Sequence, residues 1–265
     1  MERKVINSDF LINDNSNSNF ELSFLTSNKI NLILEKDHSC NLLLKEVVED
    51  FELNILIKEN AELHLSIFAN KCFKNSKINV KLEQKSKFLS YFADFSNDNN
   101  KLQVNISLIG DDTYAKWHLA SLCSSNDNKE IDVSMIHQGL STTGLVENYG
   151  VCKNNGKLIF SGVSTIEKGS HKSQTRQNAK IIIFDKESDA IAKPVLKIDE
   201  HDIEASHGAA VGKVNDEQLF YLTSRGLSEN QAKELITFGY LKPILKGFVE
   251  EEIAQKILNR IEEKN

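Results

Sequence analysis

The chain has 265 residues, with 32 Lys and Arg against 38 Asp and Glu, and its formal net charge at pH 7 is -6. Basic and acidic residues are interspersed along the whole length, so we expect no nucleic-acid partner, which would need clustered positive charge. No apolar run approaches the roughly 20 residues of a membrane helix, and the N-terminus lacks the apolar core of a secretion signal. These features predict a cytoplasmic protein without membrane association.

From about residue 28 to residue 200 the sequence alternates apolar and polar residues, which is typical of half-buried strands. The clearest strands are predicted at residues 30–34, 51–57, 61–67, 77–82, 102–108 and 130–136. The alternation continues more weakly at residues 156–166, 179–185 and 190–198. This pattern predicts a long β region with one face of each strand buried.

Two series of these strands share one repeat length along the chain. One series is centred at nearly constant spacing on Leu53, Val80, Ile106 and Val133. The other is centred, with almost the same spacing, on Leu65, Ser90 and Trp117. A fixed repeat of this kind, here about 26 residues, indicates stacked units that bury their apolar faces on one another. We therefore predict a mostly β fold with a right-handed parallel β-helix (β-solenoid) core, and an antiparallel β-sandwich is the alternative.

After residue 215 the pattern changes to that of helices. The first short helix has Asn215 or Asp216 as its N-cap, and the second begins with Ser228 and Gln231 in a capping box and is predicted to end at Gly239. A third, amphipathic helix is predicted to begin near residue 248, and it needs a partner surface for its apolar face. We expect these helices to pack on the end of the solenoid or on another protein.

The chain is thus predicted to contain three regions. An N-terminal segment covers residues 1–27, the β-helix core covers residues 28–215, and a C-terminal helical region covers residues 216–265. The four cysteines, Cys40, Cys72, Cys123 and Cys152, form no CxxC pair, which predicts reduced and mostly buried thiols rather than a zinc site.

Enzyme signatures are mostly absent from the sequence. It has no GxGxxG, GxxxxGK[ST], GxSxG or HExxH motif, so we expect this chain to bind no nucleotide. A β-helix carbohydrate-active enzyme is the alternative function, and it would need paired carboxylates on adjacent turns. Asp111 and Asp112 are the nearest acidic pair, and a solvated turn explains them better.

The histidines and one cysteine offer few convincing catalytic pairs. Cys123 follows His118 by five residues, which places the two side chains on opposite faces of one strand, so we interpret Cys123 as a core residue. His137, His171 and His201 have no ligand spacing, and all three are predicted to lie on the surface.

The stretch "DIEASHGAAVG" at residues 202–212 is a run of small residues with His207 at its centre. Small residues allow a backbone or a ligand to approach closely, and Gly208 and Gly212 tolerate unusual dihedral angles. The stretch is predicted to form a packed corner, in which His207 is either a structural residue or a ligand.

Several motifs stand in a fixed order between residues 174 and 240: Gln174 and Asn178, Pro194, then "SHGAAVG", "LFYLTSRG" and a helix with the pattern "A..L". Together they resemble the C-terminal half of the SufB/SufD family, components of the sulfur-mobilisation system that assembles iron-sulfur clusters. The upstream segment "HQGLSTTGLVENYGVCKNNGKLIFSGVSTI" is also similar to the family. The resemblance implies a β-helix core with a helical C-terminal region.

Within the family, the "SHGA" segment is similar to the SufD branch, because SufB usually has a glutamate where this chain has Gly208. The chain departs from many members at Ala205, where they carry a cysteine, and it is shorter at its N-terminus. We therefore interpret it as a SufD-like subunit.

The resemblance implies a scaffold subunit rather than an enzyme. Such a subunit pairs with a SufB-like subunit, or with a second copy, at the β-helix edge and binds the ATPase SufC through its helical region. A transient iron-sulfur cluster, shared with SufB, is built where the two β-helices meet, and His207 is the predicted ligand from this chain. The predicted SufC-binding residues are Leu219, Phe220, Tyr221, Arg225, Leu235 and Phe238.

Overall fold

The computed structural model describes residues 4–13, 18–24, 27–45 and 47–264. Its strands form two sheets, here named sheet A and sheet B. Sheet A contains β1 (Lys4–Ile6), β3 (Ser18–Leu22), β5 (Ser39–Leu44), β7 (Glu62–Ala69), β9 (Lys87–Asp94), β11 (Tyr114–Cys123), β13 (Thr143–Cys152), β15 (Ser173–Ile183) and β17 (Ile203–Lys213). Sheet B contains β2 (Phe10–Ile12), β4 (Lys29–Leu34), β6 (Glu52–Ile57), β8 (Ser76–Leu82), β10 (Asn99–Leu108), β12 (Asn128–His137), β14 (Lys157–Ile166) and β16 (Asp189–Ile198).

Successive strands alternate between the two sheets, and neighbours within each sheet pair in parallel. Each turn of the chain therefore adds one strand to each sheet, which is a β-solenoid. The prediction of a parallel β-solenoid is confirmed, and the antiparallel sandwich is excluded. The stacked strands already include β1 to β3, which precede the residue 28 at which the sequence pattern places the start of the core.

The core lies between the two sheets, where every second side chain of each strand points inward. Leu53, Val80, Ile106 and Val133 are all buried, as predicted. The repeat is not constant over the whole solenoid, however, because it is shortest in the first turns and longest in the last ones. It lengthens because the strands themselves grow, from 6 residues in β4 to 10 residues in β16.

Three helices follow the last strand: α1 (Asp216–Ser224), α2 (Glu229–Leu241) and α3 (Glu251–Glu263), with a 3-10 helix at Lys242–Gly247 between α2 and α3. The predicted caps are present. Asn215 accepts hydrogen bonds from the first turn of α1, and Ser228 and Gln231 form the capping box of α2. The predicted end of α2 at Gly239 is wrong, because Gly239 lacks the positive φ that ends a helix and the chain stays helical to Leu241. No helix in the described part of the chain is long and apolar enough to cross a membrane.

The C-terminal helical region, here called the helical tail (residues 216–264), lies along the outer face of sheet A, not on the end of the solenoid. This corrects the expectation from the sequence. Outward positions near the C-terminal ends of the sheet A strands are apolar, where the alternating pattern leads one to expect polar residues. With the tail they form a second apolar cluster, composed of Leu43, Phe68, Ala93, Phe95, Ala120, Leu122, Val151, Leu241, Ile244, Phe248, Ile253, Ile257 and Ile261.

Candidate functional site

The C-terminal end of the solenoid is uncovered. β16 pairs with β14 and β17 pairs with β15, and no further strand of the described residues follows either one. Inward positions that are buried in the preceding turns are half-buried along β16 and mostly exposed along β17. The apolar core is therefore open to solvent at this end.

The small-residue stretch predicted to form a corner is instead the last strand, β17. Neither Gly208 nor Gly212 has a positive φ, so the backbone there is ordinary extended chain. A Cβ added at Gly212 would meet nothing within 4 Å, and one at Gly208 would make only an ordinary contact of 3.5 Å with Asn178 Oδ1. Packing within this chain therefore does not explain the small residues, whereas close approach by a second chain would.

His207 lies on the inward side of β17, directly above Gln177 of β15 in the ladder of sheet A. Gln177 is buried, and its Nε2 donates hydrogen bonds to Ser164 Oγ at 2.7 Å and to the backbone oxygen of Val195 at 3.1 Å. The imidazole of His207 is exposed at the mouth of the open end, and it makes no hydrogen bond or ion pair within the described ranges. The exposed imidazole of His207 therefore lies next to a layer of well-packed, buried side chains and can offer a ring nitrogen to a ligand.

No group of three or more His, Cys, Asp or Glu side chains within the described residues is arranged to hold a metal ion. His207 supplies one nitrogen, and its inward neighbour on β17 is Ala205, which has no donor atom. A neutral imidazole is a competent iron ligand, but one donor does not hold a metal cluster. Ligation at this end therefore requires donors from another molecule.

Cys123 and Cys152 are aligned on adjacent strands and point into the core. Cys123 Sγ donates to the backbone oxygen of Lys157 at 3.1 Å, and Cys152 Sγ donates to that of Gly156 at 3.0 Å. The contact with Cys123 and burial both raise the pKa of the Cys152 thiol. This raised pKa makes the Cys152 thiol a poor nucleophile, and Cys123 is a buried core residue, as predicted.

Two histidines in the described part of the chain are buried, and the prediction that His137 lies on the surface is wrong. His137 is fully buried, its Nδ1 lies 2.7 Å from Thr142 Oγ1, and burial lowers the pKa of its imidazole to about 4. His118 points to the outer face of sheet A, where it is stacked between Tyr91 and Tyr149, and burial lowers its pKa to about 4 as well. The signal for His137 was present in the sequence, because it continues the inward alternation of β12.

The acidic pair Asp111 and Asp112 lies in the turn before β11, as predicted. Asp111 Oδ1 accepts a hydrogen bond from the backbone of Leu140 at 2.8 Å, and the backbone of Asp112 donates to the oxygen of the same residue at 2.9 Å. The two residues join successive turns of the solenoid, which is a structural role.

The predicted SufC-binding residues fall on two surfaces. Phe220 is 73% exposed and Tyr221 is 56% exposed on α1, where Arg225 lies over the Tyr221 ring at 5.2 Å and Leu219 is half-buried. The other two, on α2, line an apolar groove of about 350 Å³ between α2 and α3. The groove is formed by Leu227, Gln231, Glu234, Leu235, Phe238, Ile261 and Glu262.

Comparison with known proteins identifies the family to which this chain is similar. Residues 23–240 match the family described as SUF system FeS cluster assembly, SufBD core domain. The chain is 31% identical over 169 residues to the iron-sulfur cluster assembly protein SufD of Bacillus subtilis (strain 168), a match that covers 63% of this chain and 39% of that protein. It is 30% identical over 142 residues to an iron-sulfur cluster assembly SufBD family protein of Staphylococcus epidermidis (strain ATCC 12228), covering 54% of this chain and 30% of that protein.

The matched region is thus less than half the length of these curated relatives. The family match itself includes β4 to β17, α1 and most of α2, so it takes in the open end of the solenoid. The chain belongs to the SufBD core-domain family of the SUF iron-sulfur cluster assembly system, as the order of its sequence motifs predicts.

Proposed function

We propose that this chain is a non-catalytic scaffold subunit of a cytoplasmic SUF-type assembly complex. Its open solenoid end pairs with a second β-solenoid, either a SufB-like subunit or a second copy, and its helical tail binds a SufC-like ATPase. The observation that carries the proposal is the uncovered end of the core, with His207 at its mouth.

Pairing at this end is favourable on physical grounds. Leu196 and Ile198 on β16 are only half-buried, and Val211 on β17 is exposed, although all three occupy inward positions. A second solenoid end would remove this apolar surface from water and satisfy the free backbone groups of the edge strands.

In the paired complex His207 lies at the seam between the two chains. The nascent iron-sulfur cluster is the cargo of the complex, and His207 supplies one ligand while the partner supplies the others. Replacing a thiolate by an imidazole raises the reduction potential of a cluster. A site with one imidazole and no thiolate from this chain suits a cluster that is held briefly and then handed on.

The sequence has no nucleotide-binding motif, so the proposal assigns ATP hydrolysis to a separate subunit, and the tail offers a surface that suits its docking. Leu235, Phe238 and Ile261 form the apolar lining of the groove between α2 and α3. Glu234 and Glu262 also line it and could form ion pairs with basic residues of a partner. Such a concave apolar surface suits the anchoring side chains of a partner protein.

The ligand role is tested by substituting His207→Ala in the purified complex. The subunit stoichiometry and melting temperature should stay unchanged, while the iron and sulfide recovered after anaerobic reconstitution should fall. His201→Ala is the matched control, because His201 is an exposed histidine in the turn just before β17. Unchanged iron and sulfide would exclude the ligand role, and loss of the complex would make His207 a structural residue.

The ATPase-docking role is tested by comparing the two tail surfaces. Leu235→Asp introduces a charge into the groove, and Phe220→Asp introduces one on α1. If the groove holds the ATPase, Leu235→Asp should abolish capture of a SufC-like protein and Phe220→Asp should reduce it less. If both variants bind the ATPase like the unsubstituted chain, the tail is not its docking surface.

A further inference from the structure

Gln177 places a buried amide in a row of the core that is apolar in the two turns below it. In the ladder of sheet A it is the neighbour of Val146 on β13, which is the neighbour of Trp117 on β11, and all three side chains are buried. A buried amide costs free energy unless its polar atoms are hydrogen-bonded, so packing alone favours an apolar residue at this position. The amide of Gln177 therefore needs an explanation other than filling the core.

The side chain of Gln177 crosses the core from sheet A to sheet B. Its Nε2 donates to Ser164 Oγ on β14 at 2.7 Å and to the backbone oxygen of Val195 on β16 at 3.1 Å. Gly162 on β14 leaves room for the carbonyl end of the amide, because a Cβ at this glycine would lie 2.5 Å from Gln177 Oε1. Two strands of the opposite sheet therefore hold the amide in one place.

The carbonyl oxygen of this amide, Gln177 Oε1, makes no hydrogen bond within the described part of the chain. An amide oxygen is a hydrogen-bond acceptor with two lone pairs. The next residue of the same inward row is His207, one strand spacing of about 4.8 Å away, and its imidazole also lacks a hydrogen bond in those residues. An acceptor without a donor thus lies beside an imidazole without a partner.

A histidine that binds a metal through one ring nitrogen almost always donates the N–H of its other ring nitrogen to an oxygen acceptor, which fixes the tautomer and the orientation of the ring. The inward neighbours of His207 along β17, Ala205 and Ala209, offer no side-chain acceptor. We propose that Gln177 is the positioning residue for His207, and that its Oε1 accepts the N–H of the ring nitrogen that does not bind the cluster. The inference rests on the ligand role of His207 in the proposed function and names the residue that prepares this ligand.

The test separates the acceptor from the packing of the amide. Gln177→Leu removes Oε1 and keeps a side chain of similar bulk, whereas Ser164→Ala removes a partner of Nε2 and leaves Oε1 in place. His207→Ala sets the size of the full effect. The three variants and the unsubstituted chain are purified in the complex, and the melting temperature of each is compared with the iron and sulfide recovered after anaerobic reconstitution.

Gln177→Leu should lower the recovered iron and sulfide by about tenfold, towards the level of His207→Ala, because loss of the group that orients a metal ligand typically weakens metal binding by this factor or more. Ser164→Ala should retain most of the iron, although it removes a hydrogen bond of the same buried amide. If the iron content instead falls in step with the melting temperature across the variants, Gln177 has only a structural role and the inference is overturned.

The tautomer of His207 provides a measurement that needs no iron. Nitrogen-15 spectra of the histidine rings are recorded on the complex before reconstitution, and the His207 signal is identified by its loss in His207→Ala. The unsubstituted complex should show one tautomer of His207, and Gln177→Leu should show a mixture of both.

A mixture in the unsubstituted complex, or a single tautomer that persists in Gln177→Leu, would overturn the positioning role of Gln177 while leaving the ligand role of His207 intact. If His207→Ala leaves the iron and sulfide unchanged, the ligand role itself fails, and the inference fails with it.

Discussion

Lys129 and Asp94 form an ion pair inside the solenoid, with Nζ 2.9 Å from Oδ1 and both side chains 0% exposed. Ser121 Oγ donates to the other carboxylate oxygen at 2.9 Å. Removing one partner of such a pair leaves an uncompensated buried charge, which costs about 3–5 kcal/mol. We therefore expect Lys129→Met to lower the free energy of unfolding by that amount, measured by urea denaturation.

Lys74→Met is the control for this prediction, because Lys74 and Glu49 form an exposed pair at 3.3 Å. Exposed pairs contribute about 0–1 kcal/mol, so this variant should stay close to the unsubstituted protein. Adding Asp94→Asn to Lys129→Met removes the unpaired charge and should recover part of the loss. If Lys129→Met lowered the free energy of unfolding by less than about 1 kcal/mol, Lys129 would not be needed to compensate the buried charge of Asp94.

The buried imidazole of His137 predicts a loss of stability in acid. Burial lowers its folded-state pKa to about 4, whereas an unfolded histidine has a pKa of about 6.5. Between these pH values His137 is protonated in the unfolded chain but neutral in the folded chain. The free energy of unfolding therefore falls as the pH drops from about 6.5 to about 4. The contribution at the lower limit is on the order of 3 kcal/mol.

His137→Leu should make the dependence of unfolding free energy on pH in this window less steep, by up to about 1.4 kcal/mol per pH unit. The measurement is a series of urea titrations at pH values from 7 to about 4. Val133→Ala, at a buried position on the same strand, removes no titratable group and should lower the curve equally at each pH. An unchanged slope in His137→Leu would assign the acid sensitivity to other groups, among them His118.

Most of the fold could be predicted because it depends on local sequence patterns. The alternation of apolar and polar residues indicates which side chains of a strand are buried, and the repetition of such strands indicates that they stack. The solenoid and its inward residues, such as Leu53 and Val133, were predictable for this reason. The helix starts at Asn215 and Ser228 were also predictable, because a cap involves only residues within one turn.

The misplaced features depend on contacts between distant parts of the chain. The tail lies on sheet A because outward residues such as Phe68 and Leu122 are apolar, and their meaning is visible only when the strands are aligned side by side. The segment around His207 resembled a corner because its small residues lack alternation. Within the described residues β17 is the last strand of sheet A, and most of its inward residues are exposed, so no contrast in burial distinguishes its two faces.

The attachment of the tail provides the last prediction. Ile257 of α3 is fully buried in the second apolar cluster, and the end of the helix is fixed by Arg260 Nε on the Phe95 oxygen at 3.1 Å and by Lys264 Nζ on Asp127 Oδ2 at 2.7 Å. Truncating a buried isoleucine to alanine costs about 2–5 kcal/mol.

The contacts of Ile257 join the tail to the outer face of sheet A. Ile257→Ala should therefore release α3 before the solenoid unfolds. Amide hydrogen exchange should accelerate in α3 by more than about tenfold, with little change in the central strands such as β10. Leu258→Ala, at the adjacent and only half-buried position, should have a smaller effect. Equal acceleration in α3 and in β10 would mean that tail and solenoid unfold as one cooperative unit.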